Sequence, residues 1–130
     1  MPPERFPPDD PCEWLRQARV DLRVARLAPA DMEWELFAFH AQQAAEKALK
    51  AVLLTRGIRF PLVHDLERLL ELLERDGASP PGPVHEAGRL TGYALLTRYP
   101  HDDVVTDDEF RQAIAIAEAV VRWAKAEAGA

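Results

Sequence analysis

Apolar residues recur at helical spacing along nearly the whole chain. Trp14, Ala18, Leu22 and Ala25 share one face of a first helix. Its start is Asp10-Pro11-Cys12-Glu13: Asp10 can cap free N–H groups, Pro11 suits the first helical position, Glu13 can reach back, and Pro29 marks the end. A second helix is predicted over residues 32–56, about 37 Å long by the rise per residue. Asp31 caps it, Glu33 and Glu35 suit its positive end, and Gly57 stops it. Phe37, Ala41, Ala44, Ala48 and Ala51 form a mostly small-residue stripe, with Leu36, Leu49, Val52 and Leu53 supplying bulk beside it. After a connector containing Pro61, the spacing of Leu66, Leu69, Leu70 and Leu73 predicts a third helix over 65–75, stopped by Gly77. A proline-rich turn precedes a fourth helix, predicted over 83–96 and closed off by Pro100. The fifth opens on a capping box, Thr106-Asp107-Asp108-Glu109, with Val105 stapling onto Phe110 and with Ala113, Ile114, Ala117, Val121 and Ala124 inward. Val104-Val105 is too short for a strand. Five helices with short connections predict an all-α bundle with antiparallel neighbours.

Composition narrows the setting more than the chemistry. A chain of 130 residues suits one domain over 1–130, with residues 1–9 as a loose tail. Hydrophobic residues at 48% and charged residues at 29% exclude a disordered chain. Cys12 is the lone cysteine, so no intrachain disulfide can form, which fits a reducing cytoplasm. The start lacks the apolar core of a signal peptide, and no apolar run is long enough to span a bilayer. A formal charge of −6 makes general nucleic-acid binding weak, yet leaves room for a local basic patch.

Candidate chemistry falls in four places. His40, Gln43, Lys47 and Lys50 sit three or four residues apart and form a polar stripe beside the alanines. That pattern reads either as a solvated face or as a polar network within a helix pair or across a dimer. His64-Asp65 opens the third helix, where Asp65 caps and His64 is either a local structural group or a proton carrier. Between the last two helices lie Tyr93 and Thr97-Arg98-Tyr99-Pro100-His101-Asp102-Asp103. There Arg98 can grip a phosphate and Tyr99 can stack on a base, while the aspartates repel phosphate and can instead hold Arg98. Finally, Arg16, Arg19, Arg23 and Arg26 line one face of the first helix, as an RNA-facing stripe or a solvated one. No zinc spacing, Walker loop, dinucleotide fingerprint, nucleophile elbow or EF-hand spacing occurs, so neither a cofactor nor a metal is expected.

Taken in order, several of these segments resemble the HEPN domain family. They are Trp14, Ala18, Asp21-Leu22 and Ala25; the block from Phe39 to Ala51; His64-Asp65-Leu66 with Leu69-Leu70; then Tyr93 and Arg98-Tyr99-Pro100. The resemblance implies an up-and-down four-helix bundle with an additional short helix, in a homodimer whose helices line a central groove. It also implies a separate minimal nucleotidyltransferase as partner, because this chain lacks that enzyme's Gly-Ser and paired-aspartate signature. A nucleotide or RNA ligand would meet Lys47, Lys50, Arg98 and Tyr99, while Ala41, Ala44 and Ala48 would pack the core or the dimer. RNA-cutting relatives carry Arg, four to six residues, then His at the last core helix. Counting from Arg98, this chain has Asp103, Val104 and Val105 there, and His101 comes too early. Arg59 and His64 match the spacing literally, but ahead of the third helix. The resemblance therefore implies a non-catalytic binding module. Its alternative is a metal-independent RNase with a displaced site drawn from His64, Arg98 and His101.

Overall fold

The computed structural model describes residues 10–29, 34–60, 64–94 and 105–129. Helix α1 (Pro11–Ala25) starts where its cap predicts: Asp10 accepts the Cys12 N–H at 3.0 Å and Pro11 takes the first position. Glu13 does not reach back to the cap but pairs with Arg16 at 2.6 Å, where an i,i+3 cation is in easier reach. The helix closes at Ala25, ahead of Pro29. Its inward face carries Leu15, Ala18, Leu22 and Ala25, with Asp21 buried among them.

Helix α2 (Glu35–Thr55) is the axis of the fold, about 32 Å long by its rise per residue. The expected cap, Asp31, lies outside the described residues. Gly57, at φ +74°, takes the left-handed turn that ends the helix. Ala38, Ala41, Ala44, Ala48 and Ala51 are fully buried, as are Leu49, Val52 and Leu53. Small side chains here let α1 and α5 approach on either side, and both pack extensively on α2. Leu36 is the exception to the expected bulk: it lies in the first turn of the helix and is 52% exposed.

Helix α3 (Leu66–Arg75) is capped by Asp65, and Gly77 at φ +91° stops it. Leu66, Leu69 and Leu73 are fully buried, each contributing roughly 1.5–3 kcal/mol of apolar burial. Arg56, just past α2, donates to Asp76 at 3.0 Å and ties the ends of α2 and α3 together.

The predicted fourth α-helix takes a different form. Only a single turn, α4 (Gly82–His85), is α-helical, and the chain continues as a 3₁₀ segment, Glu86–Ala94. Gly88 and Gly92 weaken the α preference. The apolar residues Val84, Ala87 and Leu90 recur every three positions, the period at which 3₁₀ side chains line up, and all three are buried. Gly88 also presses onto α3, since a methyl group there would sit 2.3 Å from Glu67 Cγ. The Thr91 hydroxyl accepts the Leu66 N–H at 3.1 Å, so this segment caps α3 in turn.

Helix α5 (Asp107–Glu127) starts on the capping box in full: Thr106 accepts the Glu109 N–H at 3.2 Å and Glu109 accepts the Thr106 N–H at 3.1 Å. Val105 and Phe110 cluster with Ala38, and Trp34 stacks on Phe110 at 5.7 Å. The architecture is the all-α, up-and-down bundle with an additional short helix. Among the described residues there is no strand and no helix long and apolar enough to cross a membrane.

Candidate functional site

The polar stripe on α2 faces inward, and two carboxylates organise it. Asp21, reached from α1, accepts from Lys47 Nζ at 2.7 Å and lies 2.9 Å from His40 Nδ1. It sits on the apolar face of α1 between Ala18 and Leu22, where an unpaired acid would be costly, and the two α2 donors meet it there. Next to Lys47 in the chain, Glu46 is only 3% exposed and collects three donors. Gln42 Nε2 donates at 3.0 Å, Lys50 Nζ at 3.1 Å, and His64 Nδ1 lies at 2.8 Å. Gln43 extends the chain by donating to Gln42 at 2.8 Å.

An aromatic lid completes the Glu46 half. Trp14 and Phe60 meet edge to face at 5.8 Å, and the Lys50 ammonium lies 5.4 Å and 5.3 Å from their ring centres. A cation between two ring faces and a carboxylate is stabilised by all three and shielded from water. Lys50 is accordingly 5% exposed. Among the described residues, no buried side-chain nitrogen or oxygen lacks a hydrogen-bond partner.

The histidines sit at the edges of this network. A carboxylate only accepts, so Nδ1, which faces Asp21 in His40 and Glu46 in His64, is the ring nitrogen that donates. The His64 side chain is 55% exposed, against 25% for His40.

A second concavity, about 190 Å³, lies between the 3₁₀ segment and α5. Arg89, Tyr93, Glu109 and Gln112 form its walls, and Arg89 donates to Gln112 at 2.9 Å. Burial, and then the charge of Glu109, push the Tyr93 hydroxyl above its ordinary pKa of 10.0, with Arg89 opposing. The α5 N-terminus beside it is supplied with its own acids, Asp107, Asp108 and Glu109, which lessens its pull on a phosphate.

Of the site residues expected from sequence, the structure brings His64 and Lys50 together on Glu46, and places Lys47 on Asp21. Both lysines are engaged by acids rather than presented to solvent. Ala41, Ala44 and Ala48 are fully buried within the chain. Arg98, Tyr99 and His101 lie outside the described residues. Sequence reasoning did not assign the two organising acids, Asp21 and Glu46. The signal for Asp21 was an acid in an apolar helical register, and for Glu46 its position one turn from both Gln42 and Lys50.

A helical bundle built on a central helix, with a buried polar network joining that helix to its neighbours, defines the class of this protein. The HEPN domain profile matches residues 12–127, and the chain belongs to the HEPN domain family. It is similar to the crystal structure of TT1696 from Thermus thermophilus, with a TM-score of 0.74 and 28% identity over 90% of this chain and 97% of that one. It is also similar to the crystal structure of ST0689, an archaeal HEPN homologue, with a TM-score of 0.71 and 28% identity over 92% of this chain and 98% of that one. No curated protein matches the chain.

Proposed function

We propose that this HEPN protein is a non-catalytic module that binds nucleotide or RNA and serves a separate minimal nucleotidyltransferase as a homodimeric, cytoplasmic accessory partner. The observation that carries the reading is the closure of the α2 stripe. Lys47 and Lys50 are held by Asp21 and Glu46, and His40 and His64 contact the same acids. A network satisfied from within rigidifies a scaffold and leaves little free charge for phosphodiester chemistry. The sequence agrees, since the histidine required after Arg98 is replaced by Asp103, Val104 and Val105. Ligand binding then falls to the segment carrying Arg98 and Tyr99. The test is binding of RNA or nucleotide by the purified chain with and without Arg98→Ala. Weaker binding at an unchanged melting temperature supports the reading, while no binding at all defeats it.

One observation favours a second reading, an RNase with a displaced site. His64 is fixed through Nδ1 by Glu46 and is half exposed, the arrangement by which a carboxylate orients a histidine general base. Arg59, exposed and at the family's arginine-to-histidine spacing, would steady the phosphate. RNA cleavage by the purified protein, abolished by His64→Ala or His101→Ala, would establish this reading over the first.

A further inference from the structure

An open groove of about 410 Å³ runs between α1 and α5. Its walls carry Arg19 and Arg23 from α1, Arg26 just past its end, and Arg122 and Lys125 from α5. These are five of the chain's sixteen lysines and arginines, gathered in a protein of net charge −6. The two walls match in register. Arg19, Arg23 and Arg26 step by four and three residues, as do Glu118, Arg122 and Lys125, which makes two ladders each about 10 Å long. Glu118 pairs with Arg26 at 3.3 Å. Arg19, Arg23, Arg122 and Lys125 have no acidic partner among the described residues and are exposed. Like charges gathered without counter-charges repel one another, so the bundle alone does not benefit from this arrangement.

The floor of the groove is apolar. Leu22 and Val121 lie at its base, 5% and 6% exposed. Outside the groove lining, three residues before and four after Arg23, Val20 and Leu27 are 41% and 73% exposed. These are two of the three large exposed apolar side chains among the described residues, and they are close to Arg23 in sequence.

We propose that this groove is a docking site for an acidic, amphipathic helix of a partner protein. Guanidinium groups bind carboxylates in bidentate fashion, and Arg19, Arg23 and Arg122, with Lys125, would grip acids spaced a turn apart. Leucine-like residues interleaved with those acids would cover the groove floor at Leu22 and Val121, the usual mode of a helix laid in a groove. A nucleic-acid strand fits less well. No aromatic side chain lines the groove to stack a base, and the apolar floor gains little from sugar and phosphate. The acidity of the rest of the protein opposes a long polyanion. A short acidic segment within the groove meets chiefly the local cations, because exposed charges beyond about 8–10 Å are screened at physiological salt. The proposal adds a protein-facing surface to the accessory-module reading and stands whether or not RNA is bound elsewhere.

The experiment uses the full chain and a fluorescein-labelled helical peptide of about 16 residues, long enough to hold helix when capped. The peptide carries Glu at successive turns and Leu between them. A matched peptide with Lys for Glu and a uridine oligonucleotide serve as comparisons. The acidic peptide is expected to bind by fluorescence anisotropy and the lysine peptide not to. Arg23→Glu combined with Arg122→Glu should weaken binding by about tenfold or more while leaving the thermal melt unchanged, since both residues are exposed. The proposal is overturned if the acidic peptide does not bind, or binds the double variant equally well. It is also overturned if the double variant instead abolishes binding of the oligonucleotide, or dissolves a self-association of the wild type seen by sedimentation. Arg98→Ala, which tests the accessory-module reading, should leave peptide binding intact, so the two ideas fail separately.

Discussion

Glu46 on α2 receives His64, eighteen residues further along the chain, at 2.8 Å, and so fastens the start of α3 to the central helix. The same carboxylate holds Lys50 and Gln42 and is almost fully buried. Removing it strands an ammonium and an amide in a nearly dry site, the situation in which a broken buried pair costs about 3–5 kcal/mol. Glu46→Ala should therefore be among the most destabilising single changes in the chain, with Glu46→Gln intermediate because it keeps an acceptor. His64→Ala should cost far less, since that ring is half exposed. Urea denaturation of the three variants checks the order; His64→Ala matching Glu46→Ala would contradict it.

Asp21 and Lys47 link α1 to α2 in the same way, but nearer to solvent, at 11% and 21% side-chain exposure. Screening by water lowers the expected cost, so Asp21→Ala should lose about 1–3 kcal/mol. Lys47→Met should lose less, because Asp21 keeps His40. A double-mutant cycle of the two should return a coupling of about 0.5–1.5 kcal/mol; additivity would mean that His40 alone satisfies the acid.

Ala44 and Ala48 have no exposed surface, and neighbouring helices close over α2 at these positions. Ala44→Leu or Ala48→Leu adds bulk where no room exists and should cost about 1–3 kcal/mol. A thermal melt unchanged in both variants would mean that this face is less tightly covered than the structure has it.

Helix existence was legible because the apolar spacing, the Asp10 and Asp65 caps, the glycine stops and the Thr106 box all agree locally. The 3₁₀ segment reads as α-helix from sequence because Val84 and Ala87 fit either period. Only the continuation to Leu90 at steps of three separates them. For the α2 stripe, the sequence placed His40, Lys47 and Lys50 together but left the direction they face undecided. That direction depends on Asp21 and His64, 26 and 18 residues from their partners Lys47 and Glu46, and such pairings carry no local signal. The α5 half of the basic groove was invisible for the same reason: Arg122 and Lys125 acquire meaning only when α1 lies alongside.

Gly88 offers a test of the contact between the 3₁₀ segment and α3. A methyl group there meets the Glu67 side chain, which is exposed and can swing aside. Gly88→Ala alone should be close to neutral, the helical gain of alanine being offset by the displaced glutamate. With Glu67→Ala as well, the gain should emerge, up to about 1 kcal/mol over Glu67→Ala alone. If the two changes prove additive, the close approach is not what selects glycine.

The capping box of α5 sets a pH dependence of known sign. Hydrogen bonds from the Thr106 backbone N–H, and then from its side chain, hold the Glu109 carboxyl below its ordinary pKa of 4.5. A carboxyl whose folded pKa is depressed adds stability that is fully present above the unfolded value and is lost as pH falls through the folded one. The contribution is therefore intact at neutral pH and fades only below 4.5. Glu109→Gln keeps an acceptor for the Thr106 N–H but cannot ionise, so it gives up the charge and retains the geometry. The melting temperature of the wild type should exceed that of Glu109→Gln at pH 7, and the gap should narrow as pH is lowered from about 5 to about 3. Thr106→Ala removes the reciprocal cap and should cost about 1 kcal/mol at neutral pH. Combined with it, Glu109→Gln should show a smaller gap and a weaker pH dependence, because the hydroxyl's part in holding the carboxyl down is gone. A gap between wild type and Glu109→Gln that stays constant across this range would show that the Glu109 charge does not contribute to holding the start of α5.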